Sequence, residues 1–203
     1  MEAARPNAAH AALAAMEHAG VVAGVITQNV DGLHQAAGSR RVIELHGSLA
    51  EVRCLACDRR AQRREVQRRL VAANAGWLDR AAAAAPDGDA ELDVNAVASF
   101  ALVACDACGG DLMPCVVFFG GAVARPTVDS AFTLLDGAEA LLVVGSSLAV
   151  YSGLRFVRRA AERGLPIAII NLGPTRADDL GTLRISARAG EFLPRLAKFL
   201  PPR

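Results

Sequence analysis

Three short apolar runs constrain this chain more than any other feature: Val21 to Thr27, "ALLVVGSS" and "LPIAIINLG". None alternates apolar with polar residues, the pattern of strands buried on both faces. Each passes at its carboxyl end into small polar residues, "QNVDG", "GSS" and "NLG". Between and around them lie stretches with helical periodicity. "RPNAAHAALAAMEHAG" predicts a helix with Asn7 as N-cap and Gly20 as the stop. Thr127 to Leu135, Gly153 to Arg163 and Glu191 to Leu200 predict three more, and Val42 to Leu45 and "CVVFFG" predict further strands. Strands alternating with helices imply an α/β fold, a parallel sheet with helices on both faces. Such sheets bind ligands beyond the carboxyl ends of their strands, where the polar stretches fall.

The segment from about Glu51 to Gly110 breaks this rhythm. It is Arg-rich, then Ala-rich, then "APDGDAELD". Its composition predicts an inserted module over residues 51–110, with 1–50 and 111–203 forming the main domain. Within it stand two C-x-x-C pairs, Cys54 with Cys57 and Cys105 with Cys108. Two such knuckles place four thiolates around one zinc ion. No histidine or carboxylate suggests itself as a further ligand, so the expected site is closed and structural. The bland alternative is four scattered thiols. A redox C-x-x-C fits poorly, because neither pair follows a strand and opens a helix. Cys115 lies outside the pattern and is expected to be a free thiol.

Composition narrows the function classes. The net charge is +1, from 22 basic and 21 acidic residues, so no global basic field argues for nucleic acid. Arg53, Arg59, Arg60, Arg63, Arg64, Arg68 and Arg69 cluster near the first C-x-x-C. They leave a zinc-knuckle nucleic-acid protein as an alternative to a solvated helix face. With 4% aromatic residues, few rings are available for base stacking. No apolar run approaches a membrane span. Met1 to Gly20 has no secretory pattern. A cytoplasmic protein with reduced thiols is expected, with no membrane and no specific nucleic-acid partner.

Two of the four histidines, His34 and His46, fall in "TQNVDGLHQAAGSRRVIELHGS" between strands. An imidazole at a strand end suits general-base work near neutral pH. The plainer role for such a residue is a surface cap. Gln28 and Asn29 could equally supply turn polarity, and Ser146 and Ser147 could cap a helix.

In order and spacing, "TQNVDGLHQAAG", "ELHGS", the paired C-x-x-C, "VVFFG", "VVGSSLAVYSG" and "IINLGPT" resemble the sirtuins, NAD-dependent protein deacylases. The stretches "AGSRRVIELHGS", "APDGDAEL", "LLVVGSSLAVYSG" and "LPIAIINLGPTRADDL" look like the class II branch typified by mitochondrial sirtuin four. The resemblance implies a Rossmann-like NAD-binding domain with a small zinc module. It implies acyl transfer from a lysine of a protein substrate to ADP-ribose, with release of nicotinamide. His46 would be the general base on the ribose hydroxyls. Gln28, Asn29 and Asp31 would form the pocket for the nicotinamide-side ribose. Gly145, Ser146 and Ser147 would approach the NAD ribose and phosphates, and Asn171 and Leu172 the adenosine end. Val116, Val117 and Phe118 would pair with the acyl-lysine peptide, and His34 would be structural.

The sequence departs from the sirtuin pattern where it lacks the first strand, its "GAG" loop and the "PDFR"-type segment. An incomplete sheet, an amino-terminal truncation and weak NAD turnover are the expectations that follow. Gly121 stands where many members carry an acidic residue, and Cys115 replaces a polar one. Two alternatives remain: a non-catalytic or degenerate module binding NAD or ADP-ribose, and a protein ADP-ribosyltransferase.

Overall fold

The structure, a computed structural model, describes residues 4–77 and 98–200. The Ala81–Ala85 run and "APDGDAEL" lie outside the described residues. The chain divides into two compact units, one spanning Ser48–Val116 and the other made of the flanks, 4–47 and 117–200.

The flanking unit begins with α1 (Ala8–His18). Asn7 caps it: the Oδ1 atom accepts from the Ala9 and His10 amides at 2.9 and 3.3 Å. Gly20, at φ +75°, closes it, with the Val21 amide on the Met16 carbonyl and the Gly20 amide on that of Glu17. This is the double hydrogen bond of a glycine-terminated helix, as the sequence predicts. Strand β1 (Val25–Thr27) is shorter than expected, because residues 21–24 are spent on the turn out of α1. After α2 (Leu33–Ala36), β2 (Val42–Glu44) pairs with β1 in parallel.

Beyond the inserted unit come α4 (Arg125–Asp136), β6 (Leu141–Val144), α5 (Tyr151–Glu162), β7 (Ile167–Ile170), β8 (Leu183–Ile185) and α6 (Ala189–Phe199). Strands β6, β7 and β8 form a parallel sheet in that order. The sequence reading missed β8, whose Leu183 and Arg184 are exposed and carry no core pattern.

Strand β7 shows why such a segment reads as a continuous apolar run. Ile167 and Ile169 enter a cluster with Leu154, Phe156, Val157 and Ala160 of α5 and Ala131 and Leu135 of α4. Ile170 enters a second cluster, with Ala9, Ala12 and Met16 of α1 and Leu193 of α6. The strand is covered on both faces, as a doubly wound sheet requires.

The inserted unit contains β3 (Gly47–Cys54), β4 (Arg60–Gln62), α3 (Arg63–Ala73) and β5 (Leu112–Val116). The strands form one sheet, ordered β4-β3-β5, with β3 and β4 antiparallel. Here the sequence reading is corrected. The strand expected in "CVVFFG" starts earlier, at Leu112, and ends at Val116. Pro114 lacks an amide hydrogen, which an edge strand such as β5 tolerates. Val117 and Phe118 follow the strand, and Phe118 and Phe119 are exposed. Among the described residues, no helix is long and apolar enough to cross a membrane.

Candidate functional site

The parallel strands of the flanking unit deliver their candidate residues at their carboxyl ends. Gln28 and Asn29 directly follow β1, His46 lies two residues beyond β2, Gly145 to Ser147 follow β6, and Asn171 and Leu172 follow β7. Four side chains from three of these places and from α5 meet in one hydrogen-bonded chain. His46 Nδ1 lies 2.9 Å from the Gln28 carbonyl oxygen, and His46 Nε2 lies 2.8 Å from Ser152 Oγ. Gln28 Nε2 donates to Ser152 Oγ at 3.2 Å, and Ser146 Oγ donates to Gln28 Oε1 at 3.2 Å.

The directions of these bonds follow from donor and acceptor chemistry. A carbonyl oxygen only accepts, so His46 Nδ1 carries its hydrogen and donates to Gln28. In the neutral ring Nε2 is then the acceptor, and it takes the hydrogen of Ser152. The serine oxygen in turn accepts from the Gln28 amide. The basic nitrogen of His46 is therefore Nε2. Each ring nitrogen has one partner.

Nothing local in the sequence marks Ser152 as a site residue. It stands in the first turn of a helix, where serine commonly caps backbone amides. Its 8% exposure and inward bonds show another use. Beside it, Gly153 lets Gln28 lie close, since a Cβ there would sit 2.8 Å from Oε1.

The remaining candidates lie apart from this chain of bonds. Asn29 is exposed, and its amide donates to Thr27 Oγ1. Asp31 Oδ1 accepts from the Leu33 amide and so fixes the start of α2. Gly145 adopts φ +59° with open space where a Cβ would be, so a ligand could reach its backbone. Ser147 is exposed, with its carbonyl held by the Arg176 amide. Asn171 Nδ2 donates to the Gly173 carbonyl, which shapes its own loop, and Leu172 is exposed. The Val117 amide donates to the His46 carbonyl, while Phe118 faces solvent and Val116 ends β5.

His34 sits elsewhere in the unit, with its ring 4.7 Å from that of His10. Burial, then the neighbouring His10, hold its pKa below the usual histidine value, against an opposing pull from Asp31.

The inserted unit gathers Cys54, Cys57, Cys105 and Cys108, all four sulfurs within 4.8 Å of one another. Cys54 Sγ is 3.5 Å from Cys108 Sγ, and Cys57 Sγ is 3.8 Å from Cys105 Sγ. The two pairs use one backbone design. The Asp58 amide returns to the Cys54 carbonyl and the Gly109 amide to that of Cys105. The closing residues, Asp58 and Gly109, have φ of +57° and +73°.

A tetrahedral Zn–S distance of about 2.3 Å requires sulfurs roughly 3.8 Å apart. The 3.5 and 3.8 Å separations lie close to that value and the other pairs stay within 4.8 Å, so these residues fit one zinc ion, which would cross-link the two knuckles. Amide hydrogen bonds, led by that of Cys57, bring Cys54 down to about 7. The Gly110 amide acts in the same direction on Cys108, but the thiols of Cys57 and Cys54 beside it push it up to about 12.

Comparison with known proteins bears on the whole chain. The Sir2 family profile matches residues 1–152. The NAD-dependent protein deacetylase of Xanthomonas campestris pv. campestris (strain 8004) is 56% identical over 190 residues, covering 94% of this chain and 65% of that protein. That of Bordetella bronchiseptica is 54% identical over 190 residues, covering 94% of this chain and 69% of the relative. The chain thus spans just under two thirds of the length of the Xanthomonas relative. A solved structure of Sir2 with a p53 peptide and NAD+ superposes with a TM-score of 0.77 at 33% identity, covering 96% of this chain and 70% of that one. Sir2 bound to acetylated peptide gives a TM-score of 0.78 at 32% identity, covering 97% and 71%. By profile, identity and fold alike, the chain belongs to the Sir2 family.

Proposed function

We propose that this chain carries the NAD-dependent protein-lysine deacylase activity after which its relatives are named, with an acyl-lysine protein as substrate. The observation that carries the reading is the orientation of His46, with Nδ1–H held by the Gln28 carbonyl and Nε2 left as the base. NAD as co-substrate supplies an electrophilic ribose carbon and nicotinamide as leaving group, and the acyl group passes to ADP-ribose. His46 Nε2 takes a ribose hydroxyl proton as general base. Gln28, Asn29 and Asp31 bound the ribose pocket, with Gln28 held by Ser146 and Ser152. Gly145, Ser146 and Ser147 receive the ribose and phosphates, and Asn171 and Leu172 the adenosine end. Val116, Val117 and Phe118 present the segment along which the acyl-lysine peptide lies.

The zinc ion is structural, with residues 51–110 as its module and 1–50 and 111–203 as the main domain. We place the protein in the cytoplasm. The finer assignment to the class II, mitochondrial-sirtuin-four-like branch rests on the sequence stretches quoted for it. The relatives compared here are bacterial deacetylases and lend it no support.

The test is nicotinamide release from NAD by the purified chain with a panel of acyl-lysine peptides. Peptide-dependent release that falls by about 10²-fold or more in His46→Ala is the expected result for loss of a general base. Folded, zinc-loaded protein that binds ADP-ribose but releases no nicotinamide would identify a binding module instead.

A further inference from the structure

We propose that Ser152 is a positioning residue for His46: its hydroxyl holds the ring in the orientation that leaves Nε2 as the base. The inference rests on reading His46 as the base, and it concerns a residue that no candidate site included.

Three observations carry it. Ser152 is buried and lies 2.8 Å from His46 Nε2. Gln28 Nε2 donates to the same oxygen, which leaves the serine hydrogen for the imidazole. The Gln28 carbonyl holds the other ring nitrogen at 2.9 Å. A flipped ring would point C–H at both partners and lose both bonds. The hydroxyl thus selects one of two ring orientations, while the Gln28 carbonyl sets the tautomer.

The arrangement also suits exchange with substrate. A ribose hydroxyl arriving at Nε2 would replace one O–H donor by another, so the ring need not turn when the contact changes hands. Ser152 does not serve as a nucleophile here. Its oxygen is buried, and Gln28 occupies its acceptor side.

Ring orientation is read directly by 15N-resolved NMR of the His46 side chain in the resting protein, without NAD or peptide. The wild type should show one protonated nitrogen, Nδ1, and one acceptor, Nε2, as distinct signals. In Ser152→Ala the Nε2 signal should shift and both ring signals broaden as the ring samples its flipped orientation. Ser152→Thr, which keeps the hydroxyl, should restore the wild-type pattern. If Ser152→Ala fails to fold, Ser152→Cys keeps the shape, weakens the donor and should show the same shift.

In the nicotinamide-release assay, kcat should fall about tenfold, the loss of one hydrogen bond, with the KM for NAD changed by less than about twofold. Ring signals unchanged in Ser152→Ala would overturn the proposal. Equal changes in the alanine and threonine variants would also overturn it, since packing and not the hydroxyl would then be responsible. Absence of turnover in the wild type would refute the deacylase reading alone, because the ring spectrum still decides the role of Ser152.

Discussion

Gly153 packs directly against the carboxamide of Gln28, so that a Cβ at residue 153 would lie 2.8 Å from Oε1 and 3.0 Å from the carbon that bears it. The crowded atoms are the free end of a flexible side chain, so the fold can yield while the site cannot. Gly153→Ala should gain about 0.5–1 kcal/mol of helix propensity in α5 and lose about 1–3 kcal/mol from displaced hydrogen bonds. Net stability should therefore fall by no more than about 2.5 kcal/mol. Nicotinamide release should fall by roughly 10²-fold, because Gln28 would leave both Ser146 and Ser152. Thermal melts run beside the assay test this. A large drop in Tm would mean that the methyl group disrupts the core and not the site.

A second glycine makes the same kind of close approach in the inserted unit. A Cβ at Gly110 would lie 2.7 Å from the Ala56 Cβ and 3.0 Å from Cys54 Sγ. These neighbours are short and belong to the knuckle itself, so the cluster must widen to admit a methyl group. Gly110→Ala should weaken zinc binding by about 10–100-fold, the effect of disturbing the groups that orient ligands. Competition against a chromophoric chelator measures it. The wild type should hold one zinc per chain and Cys54→Ser should lose it. Undiminished affinity in Gly110→Ala would show that the metal does not sit among these four sulfurs.

These relationships show what could be read from the residues and what could not. The two C-x-x-C pairs announce their cluster, because ligand spacing within a knuckle is local in sequence. Asn7 and Gly20 announce the ends of α1 for the same reason. Strands β6 and β7 are legible because burial on both faces leaves an uninterrupted apolar run. Strand β8 is not, since Leu183 and Arg184 lie exposed on the last strand of the sheet. Nor was the small sheet of the inserted unit expected, as its pairing of β3 with β4 joins Arg-rich segments. Ser152 is the sharpest case. Its partner His46 is 106 residues away, and a serine in the first turn of a helix has an ordinary local explanation. Only the packing of α5 against the end of β1 distinguishes the two uses.

The last prediction concerns acid. The His34 ring centroid lies 4.7 Å from that of His10 with the planes tilted by 54°, and its Nδ1 is buried without a hydrogen-bond partner. Burial and the His10 charge lower its pKa from 6.5, while Asp31 opposes them. The unfolded chain, with histidine at its ordinary value, binds the extra proton first as pH falls. Stability is therefore whole above about pH 6.5 and declines below it, until the folded-state pKa is passed. Carboxylates titrate near 4, below the start of this window. Melts between pH 7.5 and 5 should show a falling Tm in the wild type and a shallower fall in His34→Gln. His10→Gln should give an intermediate slope, because it removes one of the two effects that depress His34. A Tm that rises on acidification through this range, or a slope unchanged in His34→Gln, would show that His34 is not the group responsible.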